Sequence, residues 1–108
     1  MLEPGLDKHE WESLWQSFEE DLETAPAEAL AEVDRLVAQM LETRGYAIGD
    51  PVAREGDDRD IVAEFLAARE ITRLVEQGAE TVSPGDVAAA VNGYGALYEY
   101  LIVERSPP

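Results

Sequence analysis

The chain has 108 residues, of which 45% are hydrophobic and 30% are charged, a composition that fits one globular domain and excludes a disordered chain. Cysteine is absent, which excludes disulfides, thiolate metal sites and thiol nucleophiles and fits a reducing cytoplasm. The 24 acidic and 8 basic residues give a formal net charge of −16. Such a field repels phosphate backbones, so we expect no direct nucleic-acid binding.

The sequence predicts neither a membrane span nor a secretory signal. No apolar run approaches the roughly 20 residues that span a bilayer, and the opening MLEPGLDKHEWE has neither the basic start nor the apolar centre of a secretory signal. We therefore expect a single cytoplasmic domain over residues 1–108 with no membrane contact. Its ends, residues 1–6 and 104–108, are expected to be frayed.

A first helix is predicted over residues 8–23, because large apolar side chains recur there at steps of three and four and gather on one side. These side chains are Trp11, Leu14, Trp15, Phe18 and Leu22. Residues 1–25 also hold 8 of the 24 acidic residues and only 1 of the 8 basic ones. The pattern predicts a docking helix whose outer face is acidic.

A second helix is predicted over residues 26–44. Pro26 suits a first helical turn, where its missing N–H is not needed, and Glu28 lies near the positive end of the helix dipole. Arg44 and Gly45 supply a cation in the last turn and a residue that tolerates positive φ just beyond it. The predicted inward face consists of Leu30, Val33, Val37, Met40 and Leu41.

After a long connection interrupted by glycine and proline, a third helix is predicted over residues 58–77. The side chains expected to face inward are Ile61, Phe65, Ala68, Ile71 and Val75. Glu64, Arg69 and Glu76 are expected to face away from the core.

A fourth helix is predicted over residues 84–103. Ser83 is the expected N-cap, Asp86 stands three residues after it, and Val82 and Val87 can form a hydrophobic staple. The apolar stripe continues through Val87, Val91, Tyr94, Tyr98, Leu101 and Ile102. Four such stripes predict an all-α, four-helix bundle-like single domain.

Gly93 and Gly95 lie inside the fourth helix, where each costs about 0.8–1 kcal/mol relative to alanine. The glycines could let a neighbouring helix approach closely, or kink the helix and turn the Tyr94 and Tyr98 rings, or serve a ligand. We favour packing or bending over a ligand. A dinucleotide fingerprint is rejected, because GYGALY lacks the third glycine and lies mid-helix.

No catalytic, cofactor-binding or metal-binding residue is predicted, and no cofactor is expected. His9 is the only histidine, so one chain cannot assemble a two-histidine zinc site or a di-iron bundle. His9 and Ser13 could pair, but no acid is placed to orient the ring. Asp57, Asp58 and Asp60 are hard oxygen ligands, yet the EF-hand spacing is missing and helix capping is favoured. We therefore expect a protein that is not an enzyme.

Both ends of the chain resemble a group of small all-helical proteins of actinobacteria, which have a Trp-containing first helix, an A-D-x-L-V stretch and a final S-T-E-D-L-R…Y-R-x-F-F helix. The resemblance implies an all-helical fold and brings no activity, cofactor or catalytic residue. The chain departs from the group at Gly93 and Gly95, where the group has arginines, and in a longer first loop. The matching residues are Trp11, Leu14, Phe18, the V-D-R-L-V of Val33 to Val37, the S-P-G-D-V of Ser83 to Val87, Tyr94, Leu97 and Tyr98.

For function, the leading hypothesis is a non-enzymatic acidic helical module for protein interaction or regulation, whose protein partner is unknown. One alternative is a small-molecule-binding protein with a pocket near Tyr94 and Tyr98. Another is an acidic decoy for a basic or nucleic-acid-binding partner. The aromatic surplus also predicts a possible homodimer. The candidate interaction surface consists of Trp11, Trp15, Gly93, Tyr94, Gly95, Tyr98, Glu19, Glu20 and Asp21.

Overall fold

Four α-helices make up the fold of the computed structural model, which describes residues 4–46, 48 and 56–103. Helix α1 spans Pro4–Thr24, α2 spans Pro26–Thr43, α3 spans Gly56–Glu76 and α4 spans Pro84–Ile102. Over these ranges there is no strand. The predicted all-α architecture with four helices is confirmed.

The helix ends lie within two residues of their predicted positions, except at the start of α1. That helix begins at Pro4 rather than at residue 8, so residues 4–6 are helical and not frayed as predicted. Proline is favoured in a first turn because its fixed φ suits the helix and its missing N–H is not needed. Gly45 has a positive φ of 94°, which confirms the predicted end of α2. Residues 104–108 lie outside the described residues.

Helix α2 occupies the centre of the packing. It contacts α1, α3 and α4, while α3 and α4 also pack against each other and α1 meets α4 over a smaller area. Within the described ranges α1 and α3 do not contact each other. The predicted inward face of α2 is confirmed, since the following side chains are fully buried: Leu30, Val33, Val37, Met40 and Leu41.

The start of α4 is fixed by a capping box, as the sequence predicts. The Ser83 hydroxyl accepts from the Asp86 backbone N–H at 3.1 Å, and the Asp86 carboxylate accepts from the Ser83 N–H at 3.0 Å. Val82 and Val87 both pack against the core. The N-terminus of α4 is therefore held by local bonds and by burial.

The predicted inward face of α3 is confirmed at Phe65 and Ala68, which are buried together with Val62 and Thr72. The predicted Ile61, Ile71 and Val75 are half-buried and pack against the core. Because α3 contacts both α2 and α4, its buried face is wider than one apolar stripe. The expectation that Arg69 faces away from the core is wrong, because its guanidinium bonds to α2.

Within the described part of the chain, no helix has the length and apolar character needed to cross a membrane.

Candidate functional site

A buried polar network joins α2, α3 and α4. Asp34 lies on the apolar face of α2 and is only 7% exposed. Arg69 of α3 reaches it with Nη2 at 2.8 Å from Oδ1 and Nε at 3.2 Å from Oδ2. The Tyr94 hydroxyl of α4 donates to the same Oδ2 at 2.7 Å. One carboxylate thus accepts hydrogen bonds from two neighbouring helices.

Thr72 completes the network from α3. Its Oγ1 lies 2.7 Å from the Tyr94 Oη and 3.0 Å from the Ala68 carbonyl oxygen. The single Tyr94 proton is donated to Asp34, so the Tyr94 oxygen can accept the one Thr72 proton, which has the Ala68 carbonyl oxygen as its alternative acceptor. The polar atoms of the network therefore satisfy one another inside the core, which is the condition under which buried polar groups are tolerated.

The protonation states of Tyr94 and Arg69 favour a structural role for this network over a role in proton transfer. Burial, the largest cause, raises the pKa of the Tyr94 hydroxyl far above its ordinary value, so the phenol stays neutral. The hydrogen bond with Asp34 raises the pKa of Arg69, so the guanidinium stays charged. Tyr94 has no exposed surface. A substrate cannot reach this hydroxyl. The network instead holds α2, α3 and α4 together through hydrogen bonds.

A second contact joins α1, the end of α2 and the end of α4. Trp11 is buried, and the Arg44 guanidinium carbon lies 4.8 Å from its ring centroid. Arg44 is the C-cap of α2 and follows its last turn, so the prediction that Arg44 lies within that turn is wrong. Its Nε donates to the Leu101 carbonyl oxygen of α4 at 3.2 Å, while its Nη2 is buried and has no hydrogen-bond partner among the described residues. Arg44 thus complements the negative end of the α4 dipole.

Helices α1 and α4 meet through a pair of stacked rings. The Trp15 and Tyr98 centroids lie 4.3 Å apart with an interplanar angle of 6°, and both side chains are half-buried. Because Trp11 is buried and Trp15 is covered by Tyr98, the aromatic surplus that predicts a homodimer is largely used within one chain. The homodimer stays a prediction, which sedimentation would test.

Beyond the stacked rings, α1 and α4 leave an open trough, here named the α1–α4 groove. Two adjoining cavities of about 550 and 470 Å³ form it and share Leu22, Val91 and Asn92. Its carboxylates are exposed, as are Pro84, Ala88 and Ala96, whereas Val87 is buried and the other apolar side chains of its lining are half-buried. The groove is defined by Trp15, Leu22, Ala25, Pro26, Ala27, Val82, Ser83, Pro84, Val87, Ala88, Val91, Asn92, Gly95 and Ala96 together with Glu19, Glu23, Glu28 and Glu99.

The charges that line the α1–α4 groove have one sign. Four glutamates contribute to its lining, and no lysine, arginine or histidine does so in the part of the chain that the structure describes. The pKa of Tyr98 is raised first by burial and then by the charges of Glu12 and Glu19. The groove therefore combines an apolar floor with a negative potential at its edge.

The predicted interaction surface is divided between core and groove. Trp11 and Tyr94 are buried, which corrects their assignment to a surface. The residues that do lie at the α1–α4 groove or its edge are Trp15, Gly95, Tyr98 and Glu19. The pocket predicted near Tyr94 and Tyr98 stays a prediction: Tyr94 has no exposed surface, and the groove has one cavity beside Trp15 and Gly95 and one beside Leu22 and Val87.

The acidic run from Glu19 to Asp21 does not form one flat surface. Successive residues of a helix point about 100° apart, and here Glu19 lines the groove while Asp21 lines a smaller cavity with Ala25 and Glu32. Glu20 is exposed, and its backbone oxygen accepts the Thr24 hydroxyl. A decoy that imitates phosphate spacing along this run stays a prediction.

The two glycines contact different neighbours, and α4 runs through both without a break. A Cβ on Gly93 would lie 3.7 Å from the Ala68 Cβ, and one on Gly95 would lie 3.9 Å from the Trp15 ring. Both distances are ordinary van der Waals contacts. Neither glycine is therefore needed for a close approach of the neighbouring helix, because a methyl group fits at both positions.

Among the remaining polar candidates, those that the structure describes do not assemble into a reactive site. His9 is exposed, with its Nδ1 3.9 Å from Glu12 Oε1 on the surface of α1. In the described ranges, no three histidine, aspartate or glutamate side chains converge as a metal site requires. Asp60 is exposed, and the side chains of Asp57 and Asp58 lie outside those described.

Comparison with protein families, with curated proteins and with solved structures gives no match to this chain. Functional inference therefore depends on the geometry of the α1–α4 groove. The resemblance to small actinobacterial helical proteins stays a prediction.

Proposed function

We propose that this protein is a non-enzymatic interaction module that binds a partner protein in the α1–α4 groove. The observation that carries the proposal is an open trough of two joined cavities, about 550 and 470 Å³, whose lining is largely apolar and whose edge is acidic. Binding sites are typically concave clefts with an apolar lining and a few polar groups placed around it. A groove between helices is a common receptor for a peptide segment.

The packing supports this use of the groove. Val87 is buried at the floor of the groove, while Ala88 and Ala96 are exposed along its α4 wall. The buried network at Tyr94 holds α4 against α2 and α3 from the opposite side. A partner can therefore occupy the groove without opening the core.

The test fills the groove by replacing small residues that line it with tryptophan. Ala88→Trp and Ala96→Trp replace exposed residues that line it, and Ala63→Trp is the matched control at an exposed position of α3. Partners are captured from cell extract with the wild-type chain, identified by mass spectrometry, and then purified for affinity measurements. We expect each groove variant to weaken binding at least about tenfold, equivalent to about 1.4 kcal/mol, and Ala63→Trp to leave it unchanged. Equal binding by all three variants would overturn the proposal.

A small molecule is the second candidate occupant, favoured by the size of one cavity. Its volume of about 550 Å³ falls within the roughly 300–1,000 Å³ typical of ligand pockets, and its lining includes Leu22, Val82 and Val91. Native mass spectrometry of freshly purified protein tests this alternative. A stoichiometric added mass that is present in the wild type and in Ala63→Trp, but lost in Ala88→Trp, would favour the small molecule over a protein partner.

A further inference from the structure

We infer that the segment received by the α1–α4 groove is a cationic amphipathic helix of a partner protein. This inference rests on the proposed function and specifies the partner's chemistry. The partner's apolar side chains would enter the end of the groove near Val82 and Val87, and its lysine or arginine side chains would face Glu19, Glu23 and Glu99.

The first argument is that the groove combines four carboxylates with an apolar floor, whereas the smaller cleft lined by Asp21, Glu28 and Glu32 has only Ala25 and Ala29 as its apolar lining. The cleft between α1 and α2 is lined by Leu14 and Phe18 together with Glu32 and Arg35, so its charges balance. The α1–α4 groove has four glutamates and no basic residue among its described lining. A lysine or arginine placed at its edge gains attraction, while an acidic segment is repelled both there and by the net charge of −16.

The second argument is the separation of apolar and acidic character along the groove. The end near α2 is lined by Pro26, Val82 and Val87 with one glutamate, whereas the end near the stacked rings holds Glu19, Glu23 and Glu99. From Val87 to Glu99 is twelve residues of α4, which is about 18 Å at about 1.5 Å per residue. A helix of about three turns can therefore place apolar residues at one end and cations at the other.

The third argument concerns the shape of the occupant. The groove lies between two helices, which is the geometry that receives the ridge of a third helix. The side of α4 that faces the groove carries Ala88, Gly95 and Ala96, and such small side chains let another backbone come close. An extended strand would find no sheet edge to pair with in residues 4–46, 48 and 56–103.

The test selects helical peptides from a displayed library with randomised surface positions. Selection uses the full wild-type chain, and counter-selection uses Ala88→Trp, which has the same charge and therefore removes peptides bound by net charge alone. We expect recovered sequences to combine apolar residues at steps of three and four with lysine or arginine toward one end. Recovery of groove-dependent peptides that are neutral or acidic would overturn this inference and leave the proposed function standing. Failure to recover any groove-dependent peptide would overturn both.

The charge contribution is then measured on one recovered peptide. The triple variant Glu19→Gln, Glu23→Gln and Glu99→Gln removes three carboxylates of the groove. The control triple Glu10→Gln, Glu76→Gln and Glu80→Gln removes the same charge from exposed positions outside it. At low salt we expect the groove triple to weaken binding about fivefold to tenfold and the control triple less than about twofold, with the difference shrinking as salt is added. Equal losses in the two triples would show that net charge, and not the groove, attracts the peptide.

Discussion

Replacement of Tyr94 by phenylalanine tests the buried network directly. Tyr94→Phe keeps the ring that lies edge-on to Phe65 at 6.2 Å but removes the proton donated to Asp34 over 2.7 Å. Thr72 keeps its bond to the Ala68 carbonyl, and Asp34 keeps Arg69, so the loss is one hydrogen bond to a charged, buried acceptor. Such a bond contributes about 1.5–3 kcal/mol to the free energy of unfolding. For 108 residues this corresponds to a fall in Tm of about 7–13 °C.

Chemical and thermal unfolding followed by circular dichroism measure this change. Tyr98→Phe is the control, since it makes the same substitution on the same helix at a half-buried ring stacked on Trp15. The control should alter the free energy of unfolding by no more than about 0.5 kcal/mol. If Tyr94→Phe lowered the free energy of unfolding no more than Tyr98→Phe does, the hydrogen bonds between α2, α3 and α4 would not stabilise the fold.

Three further predictions concern stability. Because burial raises the pKa of Tyr94 above its ordinary value of 10.0, the folded chain keeps a proton that the unfolded chain releases above that pH. The contribution of Tyr94 is thus complete below pH 10 and is lost as the pH rises further. The advantage of wild type over Tyr94→Phe, measured by urea unfolding, should fall by about 1.4 kcal/mol per pH unit there, whereas a constant advantage would contradict a buried neutral phenol. Gly93→Ala should raise the free energy of unfolding by about 0.8–1 kcal/mol, since the added methyl would lie 3.7 Å from Ala68; destabilisation would mean that the packing there has no spare room. Ser83→Ala removes the side-chain acceptor of the capping box and should cost about 1 kcal/mol, and a silent substitution would show that burial alone fixes the start of α4.

The features that the sequence predicts correctly depend on neighbouring residues. The capping box at Ser83 and Asp86 needs only residues three apart. The positive φ of Gly45 follows from its place after the last turn of α2. The inward face of α2 follows from a period of 3.6 residues on a helix that contacts the three others. Local chemistry and periodicity are enough for such features.

The sequence does not predict the contacts that join distant residues. Asp34 stands four residues after Leu30 and three before Val37, so its place on the buried face could have been inferred from V-D-R-L-V. Its partners could not, because Arg69 and Tyr94 lie 35 and 60 residues away. Trp11 and Trp15 belong to the same stripe, yet only Trp11 is buried. How α1 crosses its neighbours decides that difference, and the stripe does not encode the crossing.

The two sides of α4 separate folding from the proposed binding, and this separation can be tested. Tyr94 is fully buried against α2 and α3, whereas Ala88 and Ala96 lie exposed in the groove eight residues apart on one side of the helix. Tyr94→Phe should therefore lower the free energy of unfolding while leaving the affinity for a selected peptide within about twofold at a temperature where both proteins are folded. Ala88→Trp should weaken that affinity with little effect on stability. Both quantities are measurable on the same samples, by urea unfolding and by calorimetric titration. A parallel loss of affinity in Tyr94→Phe would mean that the buried network also shapes the groove, and that the two sides of α4 do not act independently.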